Sequence, residues 1–182
     1  MRVITGSARG AKLQTLAGGD VIRPTSQRVK EAMFSSVQFE IAGREVLDAF
    51  AGTGQLGIEA LSRGAVICHF LEQNAQAQAV LRQNLEHTQL SAQSKVLQAD
   101  ALLFLRNTVL LFDVIFLDPP YGKQILQAAL PFAAARLRPN GVILCEAPKG
   151  ESLQDQIGTV VLERSYHHGK TSVHRYRNTA KG

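Results

Sequence analysis

The sequence predicts an α/β fold, a mostly parallel sheet with helices on both faces. Three observations predict it. From residue 45 onward, short apolar runs of strand length alternate with longer segments whose apolar residues recur at helical spacing. The stretch Asp48-Ala-Phe-Ala-Gly-Thr-Gly-Gln-Leu-Gly57 sets a glycine turn between a strand end and a helix start, the local architecture that seats nucleotide-like ligands. Two further strand-like runs close the chain around His168-Gly169, giving the sheet an antiparallel edge. Strand–helix–strand units join in parallel, with the helices packed on the sheet faces. The expected sheet therefore has seven strands, five parallel and two in the closing hairpin.

The elements follow in order. Residues 2–15 read as two short strands around Gly6-Ser-Ala-Arg-Gly10, and Gly18-Gly-Asp20 reads as a turn. Arg23-Pro-Thr-Ser26 looks like a helix entry with Thr25 or Ser26 as N-cap. Val29, Met33 and Val37, with Ala32, then form one apolar stripe. Gly43 ends the linker into the first core strand, 45–48. A helix starts in the run 56–61, and 66–71 is the second strand. Residues 74–87 form a helix with Ala77, Val80, Leu81 and Leu85 inward. The third strand is 95–98, a short helix 101–106, and the fourth strand 112–117. A helix over 124–137 buries Leu126, Leu130, Ala133 and Leu137, and Pro139-Asn-Gly141 stops it. The fifth strand is 142–146, and the hairpin strands are 159–165 and 172–177.

At 182 residues and 45% hydrophobic, the chain suffices for one domain with a real core. No apolar run reaches the ~18 residues that a membrane helix needs, and the N-terminus lacks the long apolar stretch of a signal peptide. Cys68 and Cys145 sit in apolar runs, which suggests buried thiols in a reducing cytoplasm. No Cys/His spacing suggests a metal site. Nothing calls for an obligate dimer, so a monomer is expected. The net charge of +5 is uneven. Arg2, Arg9, Lys12, Arg23, Arg28 and Lys30 face Asp20 alone in the first thirty residues, and Arg164, Lys170, Arg175, Arg177 and Lys181 have no acid among them after Glu163. Basic ends on an acidic core suit a polyanion, nucleic acid above all. Residues 1–43 are read as a basic RNA-binding extension, with Arg2, Arg9, Lys12, Arg23 and Arg28 as its contacts, and 44–182 as the catalytic domain.

In such a sheet the ligand lies across the carboxyl ends of the strands, which selects a small set of residues. Gly52 permits the sharp turn, Gly54 lets the backbone approach the ligand, and Gly57 lets the helix pack on the strand. With Ala51 they fit a dinucleotide or an S-adenosylmethionine site. Asp48, four residues before the first glycine, suits a cationic methionine end better than a pyrophosphate. Glu72 ends the second strand, where a carboxylate can accept from both ribose hydroxyls. Asp100, beside Ala101, ends the third strand and either accepts from an adenine amino group or caps the next helix.

Asp118-Pro119-Pro120-Tyr121 ends the fourth strand. An exocyclic amine on a base is a poor nucleophile, because its lone pair is delocalised into the ring. The Asp118 carboxylate and the Pro119 carbonyl can accept its two N–H bonds and turn the lone pair outward. The prolines fix φ, and Tyr121 offers a face on which a base stacks. A glycine loop after one strand and Asp-Pro-Pro-Tyr after a later one resembles the S-adenosylmethionine-dependent amino-methyltransferases.

A closer resemblance covers nearly the whole chain. Arg2-Val-Ile-Thr-Gly6 and Arg9-Gly-Ala-Lys-Leu13, the run from Arg23 to Phe34, and the run from Leu47 to Gly64 resemble the bacterial RsmD family of small-subunit rRNA guanine-N2 methyltransferases. The resemblance implies a Rossmann-like class I methyltransferase fold. It also implies S-adenosyl-L-methionine as cofactor and methylation of N2 of guanine 966 in 16S rRNA, on an assembled or assembling 30S subunit. Gln27 stands where the family more often has an acid, and Thr5 replaces a common glycine. Two other readings compete. The same chemistry serves adenine N6 or cytosine N4 of RNA or DNA, although 182 residues leave no room for a large DNA target-recognition domain. An NAD-dependent oxidoreductase explains Gly52, Gly54, Gly57 and Glu72 but leaves Asp48 and Asp118–Tyr121 idle.

Overall fold

The computed structural model describes residues 1–16, 27–120 and 124–181. The expected turn at 18–20, the helix entry at 23–26, Arg23 and Tyr121 lie outside the described residues. Within them the chain runs through α1 (Gln27–Ser36), β1 (Glu45–Asp48), α2 (Gln55–Ser62), β2 (Ile67–Leu71), α3 (Ala75–His87), β3 (Ser94–Leu97), α4 (Ala101–Asn107), β4 (Phe112–Leu117), α5 (Ile125–Ala134), β5 (Leu137–Pro148), β6 (Gln156–Ile157), β7 (Val160–His168) and β8 (Thr171–Asn178). The strands form one sheet in the order β3-β2-β1-β4-β5-β8-β7-β6. The first five are parallel, and β8, β7 and β6 are antiparallel. The expected seven strands are thus joined by an eighth, the two-residue β6, which pairs with the start of β7.

Strand alternation builds two cores. Val46, Val114 and Phe116 face one side with Met33, Phe34, Ile58, Phe70 and Leu81. Leu47, Ile115 and Leu117 face the other with Leu105, Leu126, Leu130 and Tyr176. Both faces of the parallel strands are buried, so these strands read as continuous apolar runs. Val3 and Leu13 belong to the first core, so the N-terminal segment is packed into the domain. Both cysteines are free, buried thiols. No described helix is long and apolar enough to cross a membrane.

Three boundaries differ from the sequence reading. The N-terminal hairpin is reduced to a single antiparallel bridge, Arg2 to Lys12, because side chains take several of its donors. Glu59 accepts from the N–H groups of Ile4 and Thr5, and Ser62 accepts from that of Ala8. Val37 is buried but follows the end of α1. The third difference is at α5, which ends at Ala134. Leu137 pairs with Phe112 and already belongs to β5, and the register jumps before Val114 pairs with Val142. Pro139-Asn-Gly141 is therefore an irregularity within a strand rather than a helix stop. Asn140 adopts φ 61° there, and a Cβ on Gly141 would lie 2.9 Å from the carbonyl oxygens of Arg138 and Asp113.

Candidate active site

Four acids follow the carboxyl ends of four neighbouring parallel strands. Asp48 ends β1, Glu72 follows β2, Asp100 follows β3 and Asp118 follows β4. The strand order sets them along one edge as Asp100, Glu72, Asp48, Asp118. Three inter-strand spacings span roughly 14 Å, the scale of a nucleoside carrying an amino-acid arm.

Two acids of this row, Glu72 and Asp48, hold the glycine loop and the start of α2. Glu72 is half-buried. Its Oε2 accepts from Gly52 N at 2.8 Å and its Oε1 from Asn74 N at 2.6 Å. Ala51 is buried, and its N–H donates to Leu71 O at 2.9 Å. Asp48 is 1% exposed, and its Oδ2 accepts from Gly57 N at 2.9 Å. Its Oδ1 is buried without a hydrogen-bond partner. Burial, offset in part by the Gly57 N–H, pushes its carboxyl up to about 7. Such a group favours a ligand that brings a positive charge. Asp100 is exposed and caps α4, accepting from Leu103 N at 2.7 Å. Its other oxygen accepts from Gln73 Nε2. The capping alternative is thus realised, and Ala101 is buried as the first residue of α4. Asp118 is half-buried, Pro119 buried and Pro120 exposed.

The glycines divide by role. Gly52 and Gly54 take φ of 52° and 91°, the left-handed region where other residues are strained. A Cβ on Gly54 would lie 2.2 Å from Leu81 Cδ1. Gly54 is therefore constrained by its positive φ and by its packing against α3. A Cβ on Gly57 would lie 2.2 Å from Phe70 Cε1 and 2.7 Å from Cys68 Sγ, which is the helix-on-strand approach the sequence suggested.

The basic residues fall into two groups. Arg2, Arg9, Lys12 and Arg28 are exposed, and the Arg2 guanidinium donates to Gly10 O at 2.8 Å. Gln27 donates to Glu31 at 2.9 Å on the exposed side of α1. At the other end, Arg175 and Arg177 both pair with Glu40 and Glu163, at 2.8–2.9 Å. These two arginines of the basic C-terminal end are thus paired inside the protein rather than left free for a polyanion.

Sequence reasoning missed the residues that lock the N-terminal segment to the loop. Lys30 Nζ and Glu59 Oε2 lie 3.0 Å apart with both side chains fully buried. Glu59 also accepts from Ile4 N, Thr5 N and Arg63 Nε. Asn84, 1% exposed, accepts from Gln14 N at 2.8 Å and donates to Gln14 O at 3.0 Å and Thr53 O at 2.9 Å. The signal for Glu59 was visible, a carboxylate inside the apolar run Leu56-Gly-Ile-Glu-Ala-Leu61. Asn84 had none. Among the described residues, no group of three His, Cys, Asp or Glu side chains could hold a metal ion.

A parallel sheet with an antiparallel hairpin, a glycine loop after β1 and strand-end acids define a class I S-adenosylmethionine-dependent methyltransferase. Comparison with solved structures agrees: the yhhF protein of Escherichia coli superposes with a TM-score of 0.88, at 27% identity over 100% of this chain and 99% of that one. Residues 1–177 match the family described as Conserved hypothetical protein 95. The YlbH protein of Bacillus subtilis is 38% identical over 97% of this chain and 98% of its own. Ribosomal RNA small subunit methyltransferase D of Haemophilus influenzae is 38% identical over 84% of this chain and 81% of its own. The chain belongs to this RsmD family of small-subunit rRNA methyltransferases.

Proposed function

We propose that this protein methylates the exocyclic N2 of guanine 966 in 16S rRNA, acting as a cytoplasmic monomer on an assembled or assembling 30S subunit. The observation that carries the reading is the row of acids ending at Asp118, with the Asp48 carboxyl buried one strand away. Family membership supports small-subunit rRNA as substrate. The resemblance of 2–13 and 23–34 to the RsmD pattern supports the particular guanine.

The residues fit the cofactor. The Asp48 carboxyl, with its unpartnered Oδ1, would face the cationic amino-acid end. Glu72 would take the ribose hydroxyls, with Gly52 and Ala51 beside them, and Asp100 and Ala101 would lie at the adenine. When bound, S-adenosylmethionine supplies an electrophilic methyl group on a sulfonium.

The chain's own work is to hold the amine. Asp118 and the Pro119 carbonyl accept its N–H bonds, so the lone pair is drawn out of conjugation with the ring and faces outward. The rigid proline backbone keeps both acceptors aimed before the base arrives, so catalysis rests on positioning and electrostatics. Tyr121 stacks on the base, and residues 1–43 supply cationic contacts to RNA through Arg2, Arg9, Lys12, Arg23 and Arg28.

The test is nucleoside mass spectrometry of small-subunit rRNA from cells with and without this protein, with position mapping. The expected result is N2-methylguanosine at 966 only when the protein is present. A methylated adenine or cytosine appearing instead would replace the guanine reading, and unchanged rRNA would overturn both.

A further inference from the structure

The sheet register carries a row of residues away from Asp118 on one face. Leu117 pairs with Cys145, so Asp118 falls beside Glu146. Glu146 pairs with Val173, and Val173 with Tyr166. Val173 and Tyr166 pack on the same core as Phe116 and Leu144, so the row lies on the face that α1, α2 and α3 cover. Tyr166 is half-buried, with the Arg164 guanidinium 5.7 Å from its ring centre. Beyond it the β7–β8 turn brings His167, His168, Gly169 and Lys170 to the end of the sheet where Asp118 sits. Lys149 N donates to Lys170 O at 2.9 Å, so the backbones bearing these two lysines meet at this end. Both lysines are exposed, and neither makes an ion pair among the described residues. Arg175 and Arg177, on the same hairpin, are held by Glu40 and Glu163. Lys149 and Lys170 thus stand together at the catalytic end of the sheet, with Glu151 the acid nearest in sequence to Lys149.

We propose that this end of the β7–β8 hairpin is a second RNA-contact surface, which holds single-stranded nucleotides flanking the methylated base. An aromatic face beside a guanidinium suits a stacked base, and Lys149 and Lys170 suit phosphates. Tyr166 lies three strands from Asp118, roughly 14 Å by inter-strand spacing. That separation exceeds one base, so the stacked nucleotide is a neighbour of the target. The inference rests on the rRNA methyltransferase reading above and extends its RNA footprint from the N-terminal segment to the β7–β8 turn.

The test compares the parent protein with Lys149→Ala/Lys170→Ala, Tyr166→Ala and Tyr166→Phe. RNA binding is measured across a salt series with a single-stranded oligonucleotide spanning the methylated nucleotide. Cofactor binding is measured by calorimetry, and methyl transfer to small-subunit particles supplies kcat and KM. The double lysine variant should bind RNA more weakly, with a salt slope shallower by roughly 1.4, two single-strand phosphate contacts at ~0.7 each. It should bind cofactor like the parent and lose activity through KM. Tyr166→Ala should raise KM on the order of tenfold, and Tyr166→Phe should match the parent. A double lysine variant with the parent's RNA affinity and salt slope would overturn the proposal, and this arm stands even if Tyr166→Ala fails to fold. A parent protein that binds no RNA and methylates no rRNA would instead sink the underlying reading.

Discussion

The buried amide of Asn84 donates to the carbonyl of Thr53 at 2.9 Å, and the same side chain grips both backbone groups of Gln14. One residue of α3 therefore fixes the turn between Gly52 and Gly54 and the segment that carries Lys12. Removing it leaves three backbone groups without their partner, at about 1–3 kcal/mol for each that stays buried and unsatisfied. Asn84→Ala should lower the melting temperature and weaken S-adenosylhomocysteine binding several-fold, as a loosened loop must be reordered on binding. Thermal denaturation and calorimetry check it; unchanged cofactor affinity in a folded variant would show that the loop holds its shape without Asn84.

The Lys30–Glu59 pair makes a sharper stability prediction. Breaking a buried pair by removing one partner leaves an uncompensated charge and costs about 3–5 kcal/mol. Glu59→Ala, which strands Lys30, should lose that much in urea unfolding, Lys30→Ala less because Arg63 and two N–H groups still partner Glu59, and Lys30→Met with Glu59→Leu less than the two losses added. Burial alone would raise the Glu59 carboxyl, but Lys30, the Ile4 N–H and Arg63 together hold it below its usual value. Its contribution to stability is therefore complete above the ordinary carboxylate range and disappears as pH falls through its lowered folded value.

Asp48 gives the opposite dependence. Its carboxyl moves from 3.8 unfolded up to about 7 folded, chiefly through burial. The folded protein binds the extra proton between those values, so this group's contribution falls as pH rises from about 4 to about 7. A cationic ligand group prefers the ionised form, so cofactor affinity should rise with pH across the region of about 7 and binding should release protons. Calorimetry in buffers of different ionisation enthalpy reads both. Asp48→Asn keeps an acceptor for Gly57 N, removes the titration and should flatten the affinity profile while weakening binding at high pH. A pH-independent affinity in the parent would show that Asp48 does not face the charge.

How legible the site was depended on where its residues sit. Asp48, Glu72, Asp100 and Asp118 interrupt apolar runs at strand ends, where local pattern alone marks them, and topology then brings them into one row. Glu59 and Lys30 lie within helical stripes and are partnered only across the fold, which spacing does not reveal. Gly54 was legible as a turn, but its packing against Leu81, 27 residues further on, was not. Accordingly Gly54→Ala should already destabilise the apo protein, more than Gly150→Ala, which is also at positive φ but meets open space. The start of β5 was misread because Pro139-Asn-Gly141 has the composition of a helix stop, and only pairing of Leu137 with Phe112 assigns the segment to a strand.

Asp118 and Tyr121 should separate kinetically. Asp118 follows β4 next to the Asp48 strand, and its proposed role, steering the lone pair of the amine, is concentrated in the transition state. Asp118→Ala should therefore cut kcat severely with little change in cofactor affinity. Asp118→Asn retains one acceptor but confronts the amine with new donors, and it should also be poor. Tyr121 is assigned to stacking. Tyr121→Phe keeps the ring face and should retain most activity, whereas Tyr121→Ala should lose at least about tenfold, the factor that ~1.4 kcal/mol of lost stacking produces. Single-turnover methyl transfer from labelled cofactor to small-subunit particles measures all four variants. Equal loss in Tyr121→Phe and Tyr121→Ala would move the role from the ring to the hydroxyl, and a binding defect in Asp118→Ala would place that carboxylate on the cofactor rather than on the base.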